Sequence, residues 1–413
     1  VSAMPSVKAS LHGGKPPATF QTRRGKMEIE DFVILRRDLH AHPELRFQEF
    51  RTADCVASHL EAWGFEVDVG LAGTGVVGTL RGKGPNSILL RADMDALQLQ
   101  ELNDFPHVSR NPGVMHACGH DGHVTMLLAA AHRLSQRKRL PGTIHVVFQP
   151  GEEGGAGAQR MIDVGLLERC KAGAAFALHA WPQLPVGTIA SRPGPIMAAG
   201  VRFIVTVNGR GAHAAQPQLG TDPITTAALM IQQFQLLVSR ETDPNVALVL
   251  SVCMFQAGET DNIIPNQAVL RGTIRALGSQ AIANTMERMQ QMAHLLARAN
   301  GAEAQVTFHQ HYPVTANNAD AVTVAFEAAR SATHKPPLAV VESPPNMTSE
   351  DFGFILERMK GAYVLIGNAG ASNRCSAMPL HSPNFDFNDD LIPIGARYWE
   401  AIVDRYFESE MAA

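Results

Sequence analysis

The chain has 413 residues, of which 45% are hydrophobic and 18% are charged, and these proportions are typical of a globular protein. The length favours two domains. Lys and Arg number 35 against 39 Asp and Glu, so the formal net charge of -4 gives no general attraction to nucleic acid or to an anionic membrane. No run of about 18 apolar residues is present that could span a bilayer. We therefore expect a small-molecule partner.

The first 26 residues, from Val1 to Lys26, are rich in Gly, Pro, Ser and Lys and lack the apolar stretch of a secretory signal. We expect a flexible leader there. The five cysteines are scattered and odd in number, which argues against a disulfide framework and for a reducing compartment. The expected location is the cytoplasm.

Two helices are predicted after the leader. Phe32, Leu35 and Leu39 recur at helical spacing until a break at Pro43, and a second helix is predicted over 51–63. Apolar runs then predict a helix over 122–134 and strands at 76–80, 87–91, 143–148 and 174–179. Strands that alternate with helices in this way indicate an α/β domain with a largely buried sheet.

The order of predicted elements changes near Met197. Strands are predicted at 201–207, 246–255, 269–276 and 304–312, and helices at 222–238 and 280–299. This β-α-β-β-α-β order is the split-βαβ, or ferredoxin-like, arrangement. We therefore expect residues 197–312 to form an inserted domain, and residues 27–196 together with 313–413 to form the α/β domain. The second part of that domain is predicted to contain helices at 319–333, 351–359 and 390–408 and a strand at 362–366.

A cluster of chemically reactive side chains precedes the helix at 122–134. Within a few residues the chain places His116, Cys118, His120, Asp121 and His123. Nitrogen and sulfur ligands at the start of a helix are typical of a transition-metal site. A free buried thiol with Asp121 as the helix cap would have the same sequence, so Cys-x-His alone leaves both interpretations open.

A second cluster follows the strand at 143–148, where Glu152 and Glu153 are adjacent and precede two glycines. Adjacent side chains at a strand end point in different directions, so one carboxylate can bind a metal while the other faces a water molecule. A solvated acidic turn is the ordinary alternative.

His179 closes another apolar strand, where a core histidine would be common, and His381 lies in a later loop. Together these groups, at the strand ends of one domain, indicate a metal site.

Further motifs extend along nearly the whole chain after the leader. Beside the Cys118 and Glu152 clusters they are RRDLH at 36–40, LRADMDAL at 90–97, GAHAA at 211–215, NIIPN at 262–266, GTIR at 272–275 and SEDF at 349–352. In this order they resemble the metallopeptidase-like amidohydrolases of the aminoacylase and carboxypeptidase superfamily. The most similar group in it comprises hippurate hydrolases, bacterial N-acyl-amino-acid amidohydrolases and plant hydrolases of auxin conjugates.

The resemblance implies a zinc-peptidase-like catalytic α/β domain with an inserted ferredoxin-like α+β lid that also mediates assembly into a homodimer or homotetramer. It implies that two divalent ions, of Zn, Mn, Co or Ni, are bound by five side chains, namely Cys118, His120, Glu153, His179 and His381. Cys118 is the best candidate for a shared ligand. Glu152 would be the general base as a metal-bound water attacks the amide bond of an N-acyl amino acid.

The resemblance also assigns roles on the lid, where His213 would stabilise the oxyanion in a neighbouring subunit's site, while Asn262 and Arg275 would hold the substrate carboxylate. Arg275 stands out by itself as well, because its strand is otherwise largely apolar and a guanidinium suits bidentate binding of a carboxylate. Asp93 and Asp95 would orient a metal ligand or the base, although capping of the following turn explains them nearly as well. We expect the remaining histidines of these motifs to be structural: His40, His42, His116 and His123.

The chain departs from the family pattern at Gln98 (usually proline), Gly151 (commonly alanine), Ala212 (usually glycine) and Val201 (often aspartate). None of these changes removes an expected ligand or the base. The alternatives are a dipeptidase or carboxypeptidase of the same family, a non-catalytic binding protein, and a cysteine hydrolase that uses Cys118. The sequence does not determine the acyl group, the amino acid or the metal.

Overall fold

The computed structural model describes residues 27–331, 337–370 and 373–412. The expected leader, and the end of the helix predicted at 319–333, lie outside the described residues. The helices are α1 (Ile29–Ala41), α2 (Phe50–Ala62), α3 (His120–Ser135), α4 (Glu152–Gly155), α5 (Gly157–Asp163), α6 (Leu166–Cys170), α7 (Pro223–Leu236), α8 (Ser279–Ala299), α9 (Ala319–Arg330), α10 (Gly353–Leu356) and α11 (Leu391–Ala412). Among the described helices, none combines the length and the apolar character needed to cross a membrane.

The strands, in chain order, are β1 (Glu66–Leu71), β2 (Gly75–Leu80), β3 (Ser87–Asp93), β4 (Thr143–Gln149), β5 (Ala174–Pro185), β6 (Thr188–Ser191), β7 (Gly194–Met197), β8 (Ala199–Asn208), β9 (Ala212–His213), β10 (Leu248–Ala257), β11 (Ile263–Ile264), β12 (Gln267–Ala276), β13 (Glu303–Tyr312), β14 (Thr315–Asn317), β15 (Ala339–Glu342) and β16 (Gly361–Ala369). The helix predicted over 351–359 is wrong in length. Only α10 forms there, and turns lie on both sides of it. The apolar residues around Phe352 are buried by these turns and by α10 without one long helix.

The chain divides into two compact units. The first comprises the described residues up to Ser191 together with Asn317–Ser343 and the residues from Arg358 onwards. The second comprises Arg192–Ala316 and Pro344–Glu357. The second unit is therefore longer than the insertion expected at 197–312, mainly because a separate later segment of the chain belongs to it.

The first unit contains one mixed eight-stranded sheet in the order β1-β2-β4-β3-β5-β16-β6-β15. Its four central strands, β4, β3, β5 and β16, run parallel to one another, while β1 and β2 are antiparallel additions at one side. The mixed sheet and the helices that pack on it confirm the predicted α/β class.

Burial on both faces explains why the central strands are almost continuously apolar. Ile88, Leu89 and Leu90 of β3 are fully buried, and α3, which contacts β3, is buried along nearly its whole length. Helices α1 and α11 pack on α3 and join the same core. These contacts place α3, which begins directly after the turn at Gly119, in the centre of the core.

The parallel strands bring their carboxyl ends to one edge of the sheet. Asp93 at the end of β3 lies opposite Gln149 at the end of β4, and on β5 Ala177, two residues before His179, lies opposite Arg91. The loops that follow such ends are where α/β folds place ligand sites. The residues that follow β3 and β4 include Asp95, Glu152 and Glu153.

The second unit contains a four-stranded antiparallel sheet in the order β10-β12-β8-β13. Alternate residues of β8, among them Val201, Phe203 and Val205, are buried in a core that also includes residues of α7 and α8. With the chain order β8-α7-β10-β12-α8-β13, this is the pairing of a ferredoxin-like sheet. The short strands β9 and β11 pair with each other beside it.

Candidate metal centre

A tight turn between the buried segment at 115–118 and α3 presents Cys118 and His120. Gly119 between them has φ +86, a left-handed conformation that glycine adopts without a steric penalty. The ligand atoms of Cys118, His120 and Glu153 all lie within 4.8 Å of one another. The structure thus brings together donors that lie far apart in the sequence.

The protonation pattern of His120 is determined by its backbone contact. Its Nδ1 donates a hydrogen bond to the carbonyl oxygen of Asp95 over 2.8 Å. The other ring nitrogen, Nε2, is buried and has no hydrogen-bond partner among the described residues. A buried ring nitrogen without a partner is costly unless something binds it, and metal-bound histidines are held by their other nitrogen in this way.

His179 and His123 lie side by side but differ in what they can bind. His179 Nδ1 donates to the carbonyl oxygen of Ala180 over 2.8 Å, and its Nε2 lies 3.5 Å from Cys118 Sγ. His123 donates from Nδ1 to Asp93 and accepts at Nε2 from the Ala180 amide, over 2.6 and 2.9 Å. Both nitrogens of His123 are therefore occupied, whereas His179 Nε2 faces the thiol.

His381 approaches the same group of donors from the late loop. Its Nε2 lies 3.1 Å from Glu153 Oε1, and its backbone amide donates to the carbonyl oxygen of Ala117 over 2.8 Å. His381 has φ +65, which costs a non-glycine residue roughly 1 kcal/mol or more and persists only where the surroundings impose it. Its side chain is 54% exposed, so it lies at the open side of the donor set.

Asp95 organises the loop after β4, which includes the two glutamates and the single irregular turn α4. Its Oδ1 accepts from the amide of Glu152 over 3.0 Å, and its Oδ2 accepts from the amide of Glu153 over 2.8 Å. With the His120 contact described above, this one residue orients three members of the proposed site. Asp93 has a different set of partners, because it accepts from Arg91 Nη1 over 2.7 Å as well as from His123.

The electrostatics of the donor set indicate an excess of negative charge. Burial raises the pKa of the Cys118 thiol, and the nearby carboxylates of Glu153 and Glu152 raise it further. Burial lowers the pKa of His120, but Asp93, Asp95 and Glu153 outweigh it and raise the pKa to about 10. The neighbouring carboxylates contribute to both shifts, and they favour a positive charge at the centre of the donor set.

These residues fit divalent metal ions. Glu153 Oε1, like His120 Nε2, is buried and makes no hydrogen bond among the described residues, although His381 is close. Sulfur, imidazole and carboxylate donors together suit borderline transition metals such as Zn, Mn, Co and Ni. The two unsatisfied atoms therefore have a natural partner in a cation.

The expected residues of the inserted segment all belong to the second unit. His213 is exposed on β9, and its Nδ1 accepts a hydrogen bond from the amide of Ala215 over 3.1 Å. Asn262 is exposed beside β11, and its backbone carbonyl oxygen accepts a hydrogen bond from the amide of Ala214. Arg275 on β12 is half-buried, and burial together with the neighbouring Arg202 lowers its pKa.

Sequence reasoning missed a buried charged network behind the Cys118 turn. His40 contacts Asp121 Oδ2 over 2.8 Å and Glu101 Oε1 over 3.1 Å, so Asp121 serves this network rather than the helix cap. Arg36 contacts Asp386 and Asp389, which follow His381 in the chain, over 2.8 and 2.7 Å. Arg36 and His40 belong to the RRDLH motif, and their apolar surroundings on α1 were the signal that could have revealed them.

Buried sulfur, nitrogen and carboxylate donors at the carboxyl edge of a sheet are the arrangement of a metal-dependent α/β enzyme. Residues 89–405 match the model of peptidase family M20/M25/M40. Hippurate hydrolase of Campylobacter jejuni is 37% identical over 382 residues, which cover 92% of this chain and 97% of that protein. IAA-amino acid hydrolase ILR1-like 5 of Arabidopsis thaliana is 37% identical over 396 residues, which cover 94% of this chain and 90% of that protein.

A solved structure is similar over the same length. The crystal structure of the YxeP protein of Bacillus subtilis, described as a dinuclear metal-binding peptidase from the M20 family, has a TM-score of 0.79 and 32% identity. The match covers 92% of this chain and 98% of that chain. The chain belongs to peptidase family M20/M25/M40. The resemblance stated from the motifs is thereby confirmed, and so is the prediction of a hydrolase that acts on amide bonds.

Proposed function

We propose that this protein removes the acyl group from N-acyl amino acids by metal-dependent hydrolysis of the linking amide. The observation that supports this most is the convergence of Cys118, His120, Glu153, His179 and His381 around one buried centre next to Glu152. The hydrolase of hippurate and the hydrolase of IAA-amino acids, both similar along nearly the whole chain, are named for substrates of this class.

The proposed roles follow from the hydrogen bonds of each residue. Divalent ions, when bound, lower the pKa of a water molecule and polarise a carbonyl group. Glu152 accepts the proton of the attacking water and passes it to the leaving amino nitrogen. It suits this role because Asp95 holds its amide and because it is only 7% exposed, so that bulk water does not compete for the proton.

We assign the second unit, with the expected insertion 197–312 as its main part, to substrate recognition and assembly. The hydrogen bond that His213 Nδ1 accepts leaves Nε2 as the protonated, exposed nitrogen, which suits stabilisation of an oxyanion in a neighbouring subunit. Arg275 makes no ion pair among the residues that the structure describes, so its half-buried guanidinium suits the substrate carboxylate, with Asn262 as a further polar contact.

A homodimer or homotetramer through this unit is supported by its edge strand. In the described sheet β10 pairs on one side only, with β12, and Val249, Met254 and Phe255 of β10 are large apolar side chains exposed to solvent. An exposed apolar edge of this kind is a common pairing surface for a second copy. Sedimentation of the wild type and of Met254→Lys tests this, because the substitution should shift the protein towards monomer; an unchanged mass would contradict it.

The function is tested by hydrolysis of a panel of N-acetyl, N-benzoyl and indole-acetyl amino acids. Simple dipeptides are assayed separately as the substrates that the peptidase alternative predicts. The protein is assayed after chelation and after reconstitution with Zn, Mn, Co or Ni. We expect turnover of N-acyl amino acids only with metal added back. Turnover that survives chelation and is abolished by iodoacetamide would favour a cysteine hydrolase, preference for dipeptides would favour the peptidase alternative, and binding without turnover would favour a non-catalytic protein.

A further inference from the structure

Three successive backbone amides of the loop after β4 are held by two buried carboxylates. Asp95 accepts from the amides of Glu152 and Glu153, and Glu49 Oε1 accepts from the amide of Gly151 over 2.9 Å. Glu49 and Gly151 are 102 residues apart in the sequence. The three successive peptide units that lead into and out of Glu152 therefore each donate a hydrogen bond to a carboxylate.

Glu49 is built into the interior to make this contact. It is 0% exposed, and its second carboxylate oxygen accepts a hydrogen bond from the hydroxyl of Thr74. Burial of a carboxyl group is costly unless its oxygens are hydrogen-bonded, and here the two partners are the hydroxyl and the Gly151 amide. The acid thus connects the start of α2 to the loop that contains the base.

The residues just before Glu49 contact the same loop. Arg46 Nη1 donates to the carbonyl oxygen of Glu153 over 2.8 Å. The Phe47 ring fills the space that side chains at residues 151 and 155 would need, since an added Cβ there would lie 2.5 and 2.7 Å from ring carbons. The side chains of Arg46, Phe47 and Glu49 therefore all contact the loop.

We infer that Glu49 is a positioning residue that holds the Glu152 carboxylate in line for proton transfer, acting through the Gly151 amide. This inference rests on the proposed function, in which Glu152 is the base. Loss of the Gly151 contact would leave the Gly151–Glu152 and Glu152–Glu153 peptides held by Asp95. The Pro150–Gly151 peptide, which sets the direction of the backbone into Glu152, would lose its carboxylate contact. A displacement of about 1 Å at a catalytic group is enough to slow turnover by about 100-fold.

Three substitutions at Glu49 test the inference in the metal-reconstituted enzyme. In Glu49→Gln the amide oxygen still accepts from Gly151 and the amide nitrogen donates to Thr74, so kcat should stay within about threefold of wild type. Glu49→Ala removes the contact, and Glu49→Asp keeps the charge on a side chain that is too short to reach. In both we expect kcat to fall by about 10- to 100-fold, with KM and metal content changed by less than about twofold.

Glu44→Ala is the matched control. Glu44 lies five residues before Glu49, and it accepts from the amides of Arg51 and Thr52 at the start of α2. Among the described residues its side chain makes no hydrogen bond to the 151–153 loop. It should lower thermal stability but leave kcat unchanged. Hydrogen exchange of the peptide that contains Gly151 gives a readout independent of activity, and exchange should become faster in Glu49→Ala and stay the same in Glu44→Ala.

The inference is overturned if Glu49→Asp and Glu49→Ala keep wild-type kcat and exchange, if Glu49→Gln loses as much activity as Glu49→Ala, or if Glu44→Ala lowers kcat equally. Failure of the proposed function has a different signature, namely a Glu152→Gln variant that remains active. An inactive Glu152→Gln beside a fully active Glu49→Ala would remove only the role of Glu49.

Discussion

His120 donates its Nδ1 proton to the backbone carbonyl oxygen of Asp95, while the side chain of the same Asp95 accepts from the amides of Glu152 and Glu153. A single residue in the turn after β3 therefore orients a proposed metal ligand through its backbone and both glutamates through its carboxylate. The positions of the proposed base and of two proposed ligands are therefore coupled through Asp95. A change at Asp95 should affect catalysis and metal binding together.

Asp95→Asn tests this relationship. The asparagine oxygen can accept from one of the two amides, but its NH₂ group would face the other, so the loop must shift. We expect kcat to fall by about 10- to 100-fold and metal affinity to weaken by about the same factor, as when groups that orient metal ligands are changed elsewhere. Steady-state kinetics and metal titration of the chelated protein measure both effects. Asp104→Asn, at an exposed position, is the control, and equal behaviour of the two variants would contradict the account.

Gly151→Ala should be harmful for two separate reasons. Gly151 has φ +64, and an added Cβ would lie 2.5 Å from the Phe47 ring. Gly113 is the matched control, because it has φ +74 but nothing within 4 Å of an added Cβ. We expect Gly113→Ala to cost about 1 kcal/mol of stability and Gly151→Ala about 1–3 kcal/mol more, with a loss of kcat only in the latter. Denaturant unfolding measures the stability of both variants, and steady-state kinetics measures kcat. Equal losses of stability at the two positions would show that Phe47 does not constrain the loop.

The expected family pattern has alanine at position 151, and in this chain the Phe47 ring leaves no room for a Cβ there. The same comparison shows what sequence reasoning can and cannot reach. Donors at the ends of predicted strands could be grouped because the carboxyl ends of parallel strands meet at one edge of a sheet. Glu153 and His179 were recognisable in that way, and Cys118 was recognisable by its place with His120 before a predicted helix.

Other features depend on contacts that the sequence does not display. His120 and His123 stand in the same motif, and only the Ala180 amide and Asp93 show that His123 has no free nitrogen. Glu49 is followed by an ordinary helix and gives no sign of its bond to a loop 102 residues later. The short outer strands β6 and β15 have four residues each, too few for a periodicity to be seen.

Arg275→Gln tests recognition of the substrate carboxylate. We expect KM for an N-acyl amino acid to rise by about 10-fold or more, since a charge-assisted hydrogen bond contributes about 1.5–3 kcal/mol. The corresponding N-acyl amino acid amide, which lacks the carboxylate, should show little change between wild type and variant. Arg271→Gln, an exposed arginine of the same strand, is the control. An equal effect on the acid and its amide would contradict the assignment.

The network around His40 should make stability depend on pH. Burial lowers the pKa of His40, but the carboxylates of Asp121 and Glu101 outweigh it and raise the pKa to about 9. The folded protein therefore binds this proton more tightly than the unfolded chain, whose histidine pKa is about 6.5. The stabilisation is fully present below pH 6.5 or so and is lost as the pH rises through about 9.

Thermal and urea unfolding of wild type and His40→Gln between about pH 6 and 10 measure this effect. The stability gap between the two proteins should shrink over that interval by up to about 3 kcal/mol, and His42→Gln should leave the pH dependence of the wild type unchanged. Parallel curves for wild type and His40→Gln would show that His40 does not hold a proton in the network.

Glu152→Gln separates catalysis from metal binding. Glutamine keeps the shape of the side chain and the Glu152 amide bond to Asp95 but cannot accept a proton from water. We expect turnover to fall by about 1,000-fold or more, with the fold unchanged by circular dichroism. Turnover near the wild-type level would remove Glu152 from the role of base.

The most direct test of the account is the number of metal ions bound per chain after reconstitution and dialysis, measured by elemental analysis. The account predicts two ions in wild type and in Glu152→Gln, and fewer in Cys118→Ala and in His120→Ala. One ion or none in the wild type, or an unchanged two in both ligand variants, would contradict a dinuclear centre built on these side chains.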